Sequence, residues 1–248
     1  MAWRWASASV IGTSHIRNSA RLQDAYAVSE LGKGGLFAVV SDGAGSTKFG
    51  AYGAWLSCRF LSVRFREWVH ENHSLPANDD LSNWIDELRV RISAIAARRD
   101  TVPRQFAATL AAIAVVEEEA VSLHIGDSAI VGRSGEEWVS LCWPENGEYA
   151  SSTYFITDEP KPRLNITRHS SEYDALALLS DGVGDLALSH LEHTAHPRFF
   201  APMIRPVDVA LGEGRLAELS NKLATHLASP AICERTDDDK TLILISRK

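Results

Sequence analysis

The sequence predicts an α+β fold, and three observations carry that reading. Two long helical stripes follow one another between about Thr47 and Ile95, where a doubly wound parallel sheet would set one helix between each pair of strands. From Ala107 onward, apolar runs of strand length alternate with short turns, as in an antiparallel meander. Finally, two apolar runs end in the same turn: Leu36-Phe37-Ala38-Val39-Val40-Ser41-Asp42-Gly43-Ala44-Gly45 and Ala175-Leu176-Ala177-Leu178-Leu179-Ser180-Asp181-Gly182-Val183-Gly184. Both runs are continuous rather than alternating, which marks strands buried on both faces. An aspartate leaves the core where each chain segment turns, and the glycines admit backbone approaches that a Cβ would forbid.

The elements follow in order. Trp3 to Gly12 reads as a first strand, and Gly12 to Gln23 as a polar loop carrying His15, Arg17 and Arg21 before Asp24 and a return strand. A Gly32-Lys33-Gly34-Gly35 turn leads into the Leu36–Ser41 strand. Ser46 or Thr47 is placed to cap a helix whose face is Phe49, Tyr52, Gly53, Leu56, Phe60 and Val63. After a turn from His70 to Asp79, a second helix buries Leu81, Trp84, Ile85, Leu88, Ile92 and Ile95. Strands follow at Ala107–Val116 and Ala120–Ser128, and Ile130–Arg133 and Glu137–Cys142 continue the meander. Arg163–Ile166 is a short strand, Leu186 to Pro206 is irregular, and Leu211 to Ala228 has helical spacing through Leu216, Leu219, Leu223 and Leu227. A last strand runs to Ile245. With no linker, low-complexity tract or further repeat, one domain over residues 1–248 is expected.

Composition narrows the function. A formal net charge of −7 argues against a nucleic-acid surface and gives no reason to invoke an anionic membrane. Cys58, Cys142 and Cys233 are too scattered for a zinc site or a disulfide framework, and read as core thiols of a reducing compartment. The first residues lack the apolar core of a signal peptide, and no run approaches the about 20 residues of a membrane span, so a cytoplasmic protein is expected. His124, alone inside a strand, reads as a satisfied core residue, and His190 and His193 share a helical spacing without an acid beside them.

Acidic turns adjoin the apolar strands at Asp24, Asp42, Asp127 and Asp181, with Asp238 and Asp239 opening the last strand. Carboxylates gathered in one site repel one another, and each uncompensated buried charge costs several kcal/mol. Hard divalent cations with oxygen ligands, Mg²⁺ or Mn²⁺, resolve that repulsion. Two such ions sharing Asp42 would acidify a water and clamp the oxygens of a phosphate under in-line attack. An arginine would add bidentate binding to the phosphoryl group. Phosphate-ester hydrolysis without a covalent intermediate is the reaction class this set suits. No Walker A pattern, dinucleotide fingerprint, EF-hand loop or Gly-x-Ser-x-Gly elbow competes.

Gln23-Asp24-Ala25, Ser41-Asp42-Gly43-Ala44-Gly45, Ala108-Thr109-Leu110, Gly126-Asp127-Ser128, Ser180-Asp181-Gly182 and Asp238-Asp239-Lys240-Thr241 occur in that order. Together they resemble the metal-dependent Ser/Thr protein phosphatases of the 2C type. The opening Gly12-x-Ser14-His15 and Gly147-Glu148-Tyr149…Thr153-x-Phe155 resemble a bacterial branch of that family. The resemblance, spanning about Gly12 to Ile245, implies a four-layer αββα sandwich of two antiparallel sheets flanked by helix pairs. It implies that Asp42 bridges two Mn²⁺ or Mg²⁺ ions and that the Gly43 carbonyl binds one of them. Asp181 and Asp238 would complete the other ion's shell, Asp24 would hold waters nearby, and Asp127 with Asp181 would form a looser third site. The substrate implied is a phosphoserine or phosphothreonine protein opposing a Ser/Thr kinase in bacterial signalling.

Four positions depart from the family pattern. Ser19 stands where the phosphate-binding arginine is usual, so Arg17, Arg21 or His15 takes that role, with Arg17 favoured. Ala44 stands where many eukaryotic members carry a histidine proposed as general acid, and Ala129 where the Gly-Asp-Ser motif continues into arginine. Asp239 replaces the usual asparagine, which leaves Asp238 and Asp239 both open as ligands. Two rival functions remain: a catalytically weak module that binds phosphoproteins, and a phosphatase of a small phosphorylated metabolite.

Overall fold

The computed structural model describes residues 2–32, 34–145, 153–170 and 172–247. In chain order the elements are β1 (Trp3–Val10), α1 (Thr13–Arg17), β2 (Ala25–Leu31), β3 (Gly35–Ser41), α2 (Gly50–Asn72), α3 (Asn78–Arg98), β4 (Leu110–Val116) and β5 (Glu119–Ile125). There follow β6 (Ala129–Ser134), β7 (Glu137–Cys142), β8 (Asn165–Ser170), β9 (Ala175–Leu179), α4 (Asp181–Ala187), β10 (Leu188–Ser189) and β11 (Thr194–Ala195). The chain closes with α5 (Pro197–Asp208), β12 (Gly214–Arg215), α6 (Ala217–Leu227), α7 (Pro230–Cys233) and β13 (Lys240–Arg247). The fold is thus α+β, with two large sheets. The chain divides into two compact units, each assembled from separated stretches of sequence.

Gln23–Ser128 and Pro144–Ser171 form one unit. Its sheet runs β2-β3-β4-β5-β8 and is antiparallel throughout. β3 and β4 are buried along their whole length, as their continuous apolar runs require. Helices α2 and α3 supply the other half of this core: Phe65 stacks on Phe37 at 4.6 Å and meets Trp84 edge-on at 5.2 Å. Each large side chain so buried contributes about 1.5–3 kcal/mol. α3 buries the expected stripe, with Ala96 in place of Ile95, and the Asp80 carboxylate accepts the Ala77 N–H at 3.1 Å where the helix begins. The α2 face is rotated from expectation. Gly53 and Phe60 are buried, but the rest of the face is Gly50, Ala54, Ser57, Cys58, Leu61, Ser62, Phe65 and Val69, with Tyr52, Leu56 and Val63 on its half-buried flank. Small residues let the helix approach the sheet, and a count of large apolar residues overlooks them.

Other local expectations are corrected here. Neither Ser46 nor Thr47 caps α2, which starts after Phe49; the Thr47 hydroxyl instead donates to the Ala44 carbonyl at 2.8 Å. The turn after α2 is shorter than His70–Asp79, because the helix runs to Asn72 and stops at His73 in the left-handed region. β4 starts at Leu110 rather than Ala107, β5 stops at Ile125, and the strand expected at Arg163–Ile166 is β8, shifted to Asn165–Ser170. Lys33 of the expected glycine turn and the Gly147-Glu148-Tyr149 stretch lie outside the described residues.

Met1–Leu22, Ala129–Trp143 and Glu172–Lys248 form the other unit. Its sheet runs β12-β1-β13-β9-β6-β7, antiparallel except for the two-residue parallel pairing of β1 with β12. The expected meander is overturned at β6, which pairs with β9 and β7 in this sheet and not with β5. The Gly-Asp-Ser turn that changes sheets has the composition of one that would stay. The Leu186–Pro206 stretch is less irregular than expected, because α5 forms despite Pro202 and Pro206. Pro197 suits the first helical turn, and Phe200, Ile204 and Val207 bury one stripe, so packing outweighs the prolines' lost hydrogen bonds. α6 is shorter than the expected Leu211–Ala228 segment and buries Ser220, Leu223 and Leu227.

Candidate metal centre

Strand register gathers the acids of the unit built on β2–β5. β2 pairs Ala25 with Ser41, β3 pairs Val40 with Ala111, and β4 pairs Leu110 with Ile125. Carried one step past the strand ends, the same registers set Asp24, Asp42, Thr109 and Gly126 in a row across the end of this sheet. Backbone hydrogen bonds continue the row: Gly43 N–H donates to the Gln23 carbonyl at 3.2 Å, and Thr109 N–H to the Asp42 carbonyl at 2.8 Å. Asp24 is buried, and Asp42 and Asp127 are half-buried. One carboxylate oxygen of Asp42 and one of Asp127 lie within 4.8 Å of each other.

Buried polar groups underlie these two acids. The Asp42 N–H donates to Thr109 Oγ1 at 2.9 Å, and Thr109 Oγ1 lies 3.2 Å from Ser128 Oγ. His124 Nε2–H donates to the Ser128 carbonyl at 2.8 Å, so this histidine is the satisfied core residue expected, and burial pushes its pKa down. The Cys58 thiol is pushed up, first by burial and then by the charge of Asp24, consistent with an inert core thiol. Cys58, Cys142 and Cys233 form no disulfide.

The unit built on β1, β9 and β13 carries the remaining acids. Asp181 opens α4 directly after β9, and Ser180 joins that junction to β13 by its N–H to the Thr241 carbonyl and by its Oγ, which accepts the Thr241 N–H at 3.0 Å. Gly182 is required here, since an added Cβ would overlap the Asp239 carbonyl oxygen. Asp239 is 1% exposed; its Oδ1 accepts the Gly12 N–H at 2.7 Å and lies 2.9 Å from His15 Nδ1. Asp238 Oδ1 accepts the Asp239 N–H at 2.7 Å. His15, Asp238 and Asp239 each place a ligating atom within 4.8 Å of the other two.

His15 and Arg17 sit on α1, a five-residue helix where a plain loop was expected. Arg17 pairs with Asp237 at 2.6 Å, both largely exposed, and Arg21 is exposed. Lys240, fully buried, donates to the Asp238 carbonyl at 2.8 Å. Sequence reasoning assigned no role to Lys240 or Thr109, although both sit inside motifs it singled out. His190 lies 3.3 Å from Asp185, an acid the sequence reading had not placed beside it, and His190 and His193 both pack on Trp143. Neither joins a group of three ligating side chains among the described residues.

The donors are carboxylates, with one imidazole, and hard divalent cations suit them. The sequence profile of the family Protein phosphatase 2C matches residues 11–228. The chain belongs to that family. As a family member it is a metal-dependent protein phosphatase. It is 34% identical over 250 residues to Serine/threonine-protein phosphatase 3 of Escherichia coli strain K12, covering 98% of each chain. Among solved structures it is similar to a bacterial serine phosphatase, with a TM-score of 0.68 at 18% identity over 98% of this chain and 97% of the other. It is also similar to the catalytic domain of the phosphatase PstP in complex with two manganese ions, with a TM-score of 0.62 at 19% identity over 99% and 98% of the two chains. The α+β fold with two large sheets is therefore the 2C phosphatase fold, and Mn²⁺ or Mg²⁺ is the cofactor class its acidic groups fit. No described helix is long and apolar enough to cross a membrane.

Proposed function

We propose that this 2C phosphatase hydrolyses phosphoserine and phosphothreonine in proteins, acting as one domain over residues 1–248 in the cytoplasm and opposing a Ser/Thr kinase. Mn²⁺ or Mg²⁺ would be held by Asp24, Asp42, the Gly43 carbonyl, Asp127, Asp181, Asp238 and Asp239. When bound, the ions supply Lewis acidity toward the phosphoryl oxygens and acidify water. The observation that carries the reading is the approach of Asp42 and Asp127, just past the ends of β3 and β5 on either side of β4, since two carboxylates that close are stabilised by a shared cation. Asp238 and Asp239 differ in their surroundings. Asp239 is buried against Gly12 and His15, whereas Asp238 is half-exposed and braced by Lys240. Arg17, 2.6 Å from Asp237 with both side chains largely exposed, would orient the phosphoryl group.

The test is phosphate release from a phosphothreonine peptide, with Mn²⁺ or with EDTA, by wild type and Asp42→Asn. Turnover that requires Mn²⁺ and collapses in the variant is the expected result. If metal-loaded wild type hydrolyses neither phosphopeptides nor a small aryl phosphate, the chain is a phosphoprotein-binding module. If it hydrolyses the aryl phosphate and no phosphopeptide, its substrate is a small metabolite.

A further inference from the structure

Thr109 belongs to a family-like motif, Ala108-Thr109-Leu110, to which the metal site gives no role. We propose that Thr109 is a positioning residue: its side chain bridges the turns bearing Asp42 and Asp127 and so sets the spacing of the two carboxylates. The proposal rests on the reading of Asp42 and Asp127 as metal ligands.

The register explains why this position holds the bridge. β4 lies between β3 and β5, so the residue just before Leu110 has the end of β3 on one side and the end of β5 on the other. Toward β3, Thr109 is bonded three times. Its N–H donates to the Asp42 carbonyl at 2.8 Å, its Oγ1 accepts the Asp42 N–H at 2.9 Å, and its carbonyl accepts the Ser41 hydroxyl at 2.6 Å. Toward β5, its Oγ1 lies 3.2 Å from Ser128 Oγ. Its methyl lies close against Gly126, where φ is +99° and an added Cβ would come within 2.8 Å of Thr109 Cγ2. The far side of the Asp127 turn is held by His124 Nε2–H on the Ser128 carbonyl at 2.8 Å. Thr109, Ser128, Ser41 and His124 are all at most 3% exposed, so water does not replace a bond that is lost.

One hydroxyl thus contacts both acidic turns, and a β-branched side chain in a packed site has few rotamers in which to do so. Valine keeps the shape and branching but removes the oxygen, leaving the Asp42 N–H and the Ser128 hydroxyl without it. Serine keeps the oxygen. Outer partners of this kind typically shift metal affinity about 10- to 100-fold when removed.

The experiment titrates Mn²⁺ into the metal-free full chain by calorimetry, without substrate, for wild type, Asp42→Asn, Thr109→Val and Thr109→Ser. Phosphatase kinetics and melting curves in EDTA accompany each titration. Thr109→Val is expected to raise the Mn²⁺ Kd about tenfold or more, with kcat falling at saturating Mn²⁺, while Thr109→Ser stays within about threefold of wild type. A Thr109→Val protein that melts lower in EDTA but binds Mn²⁺ as wild type does has lost only packing, and the proposal is overturned. Equal weakening by valine and serine overturns it too, because the hydroxyl would not be the cause. Should the valine variant not fold, Ser128→Ala breaks the same bridge from its other end; a several-fold rise in Kd supports the proposal and an unchanged Kd overturns it. The underlying reading fails separately, and visibly, if Asp42→Asn retains the wild-type Mn²⁺ isotherm.

Discussion

Two glycines of α4, two residues apart, give opposite forecasts for one change. At Gly182 an added Cβ would overlap the Asp239 carbonyl oxygen, with the Asp239 carbonyl carbon at 3.0 Å and Asp238 Cβ at 3.5 Å. That neighbour is mostly backbone, locked by the hydrogen bonds of Asp239 to Gly12 and of Thr241 to Ser180, and cannot rotate away. Overpacking of this kind costs about 1–3 kcal/mol. For a chain of this size each kcal/mol moves the melting temperature by roughly 2–4 °C, so Gly182→Ala should melt roughly 2–12 °C lower than wild type. At Gly184 an added Cβ meets nothing within 4 Å. Gly184→Ala inside the helix should therefore gain about 0.4–1 kcal/mol by restricting the unfolded chain. Melting curves of both variants in EDTA read the difference without any contribution from metal. A Mn²⁺ titration should then show weakened binding in Gly182→Ala alone, since the clash pushes Asp181 and the Asp238–Asp239 turn apart. A Gly182→Ala protein that melts at or above wild type would refute the reasoning, because the junction would then yield at no cost.

Two further outcomes can be checked. Burial holds the His124 imidazole below its ordinary range, against weaker upward pulls from the Ser128 carbonyl and Glu145, and burial lowers His169 as well. The native state then binds fewer protons than the unfolded chain, so this stabilisation is complete above about pH 6.5 and is lost as the pH falls below it. Melting temperature should drop between about pH 7.5 and about pH 5.5, and His124→Gln should remove part of that drop; identical slopes would discard His124 as a source. Arg17→Ala should leave the melting temperature unchanged, because an exposed ion pair adds little stability. It should also weaken vanadate binding sharply in a competition assay, and unchanged vanadate binding would shift phosphate recognition to Arg21 or His15.

Much of the site was legible because its signal is local. A strand that ends in Ser-Asp-Gly is written in consecutive residues, and Asp42 and Asp181 stand where the chain leaves β3 and β9. What stayed hidden were partners brought in by register. Nothing in the neighbourhood of Thr109 says that it stands between β3 and β5, and nothing near Asp239 says that Gly12 and His15 reach it from the other end of the chain. Helix α5 escaped notice for a related reason: its prolines argue locally against a helix, and the stripe that overrules them counts only once it is packed.

The sequence by itself determined the buried strands, the long helices α2 and α3, the acids at the strand ends and, through six ordered motifs, the phosphatase family. Tertiary structure decided which strands share a sheet, which face of α2 is buried, and which buried hydroxyls and carbonyls hold each carboxylate in place. The division follows from range. Side-chain periodicity and turn chemistry act over a few residues, whereas strand pairing and hydrogen bonds across more than two hundred residues, such as that from Gly12 to Asp239, exist only after the chain has closed on itself.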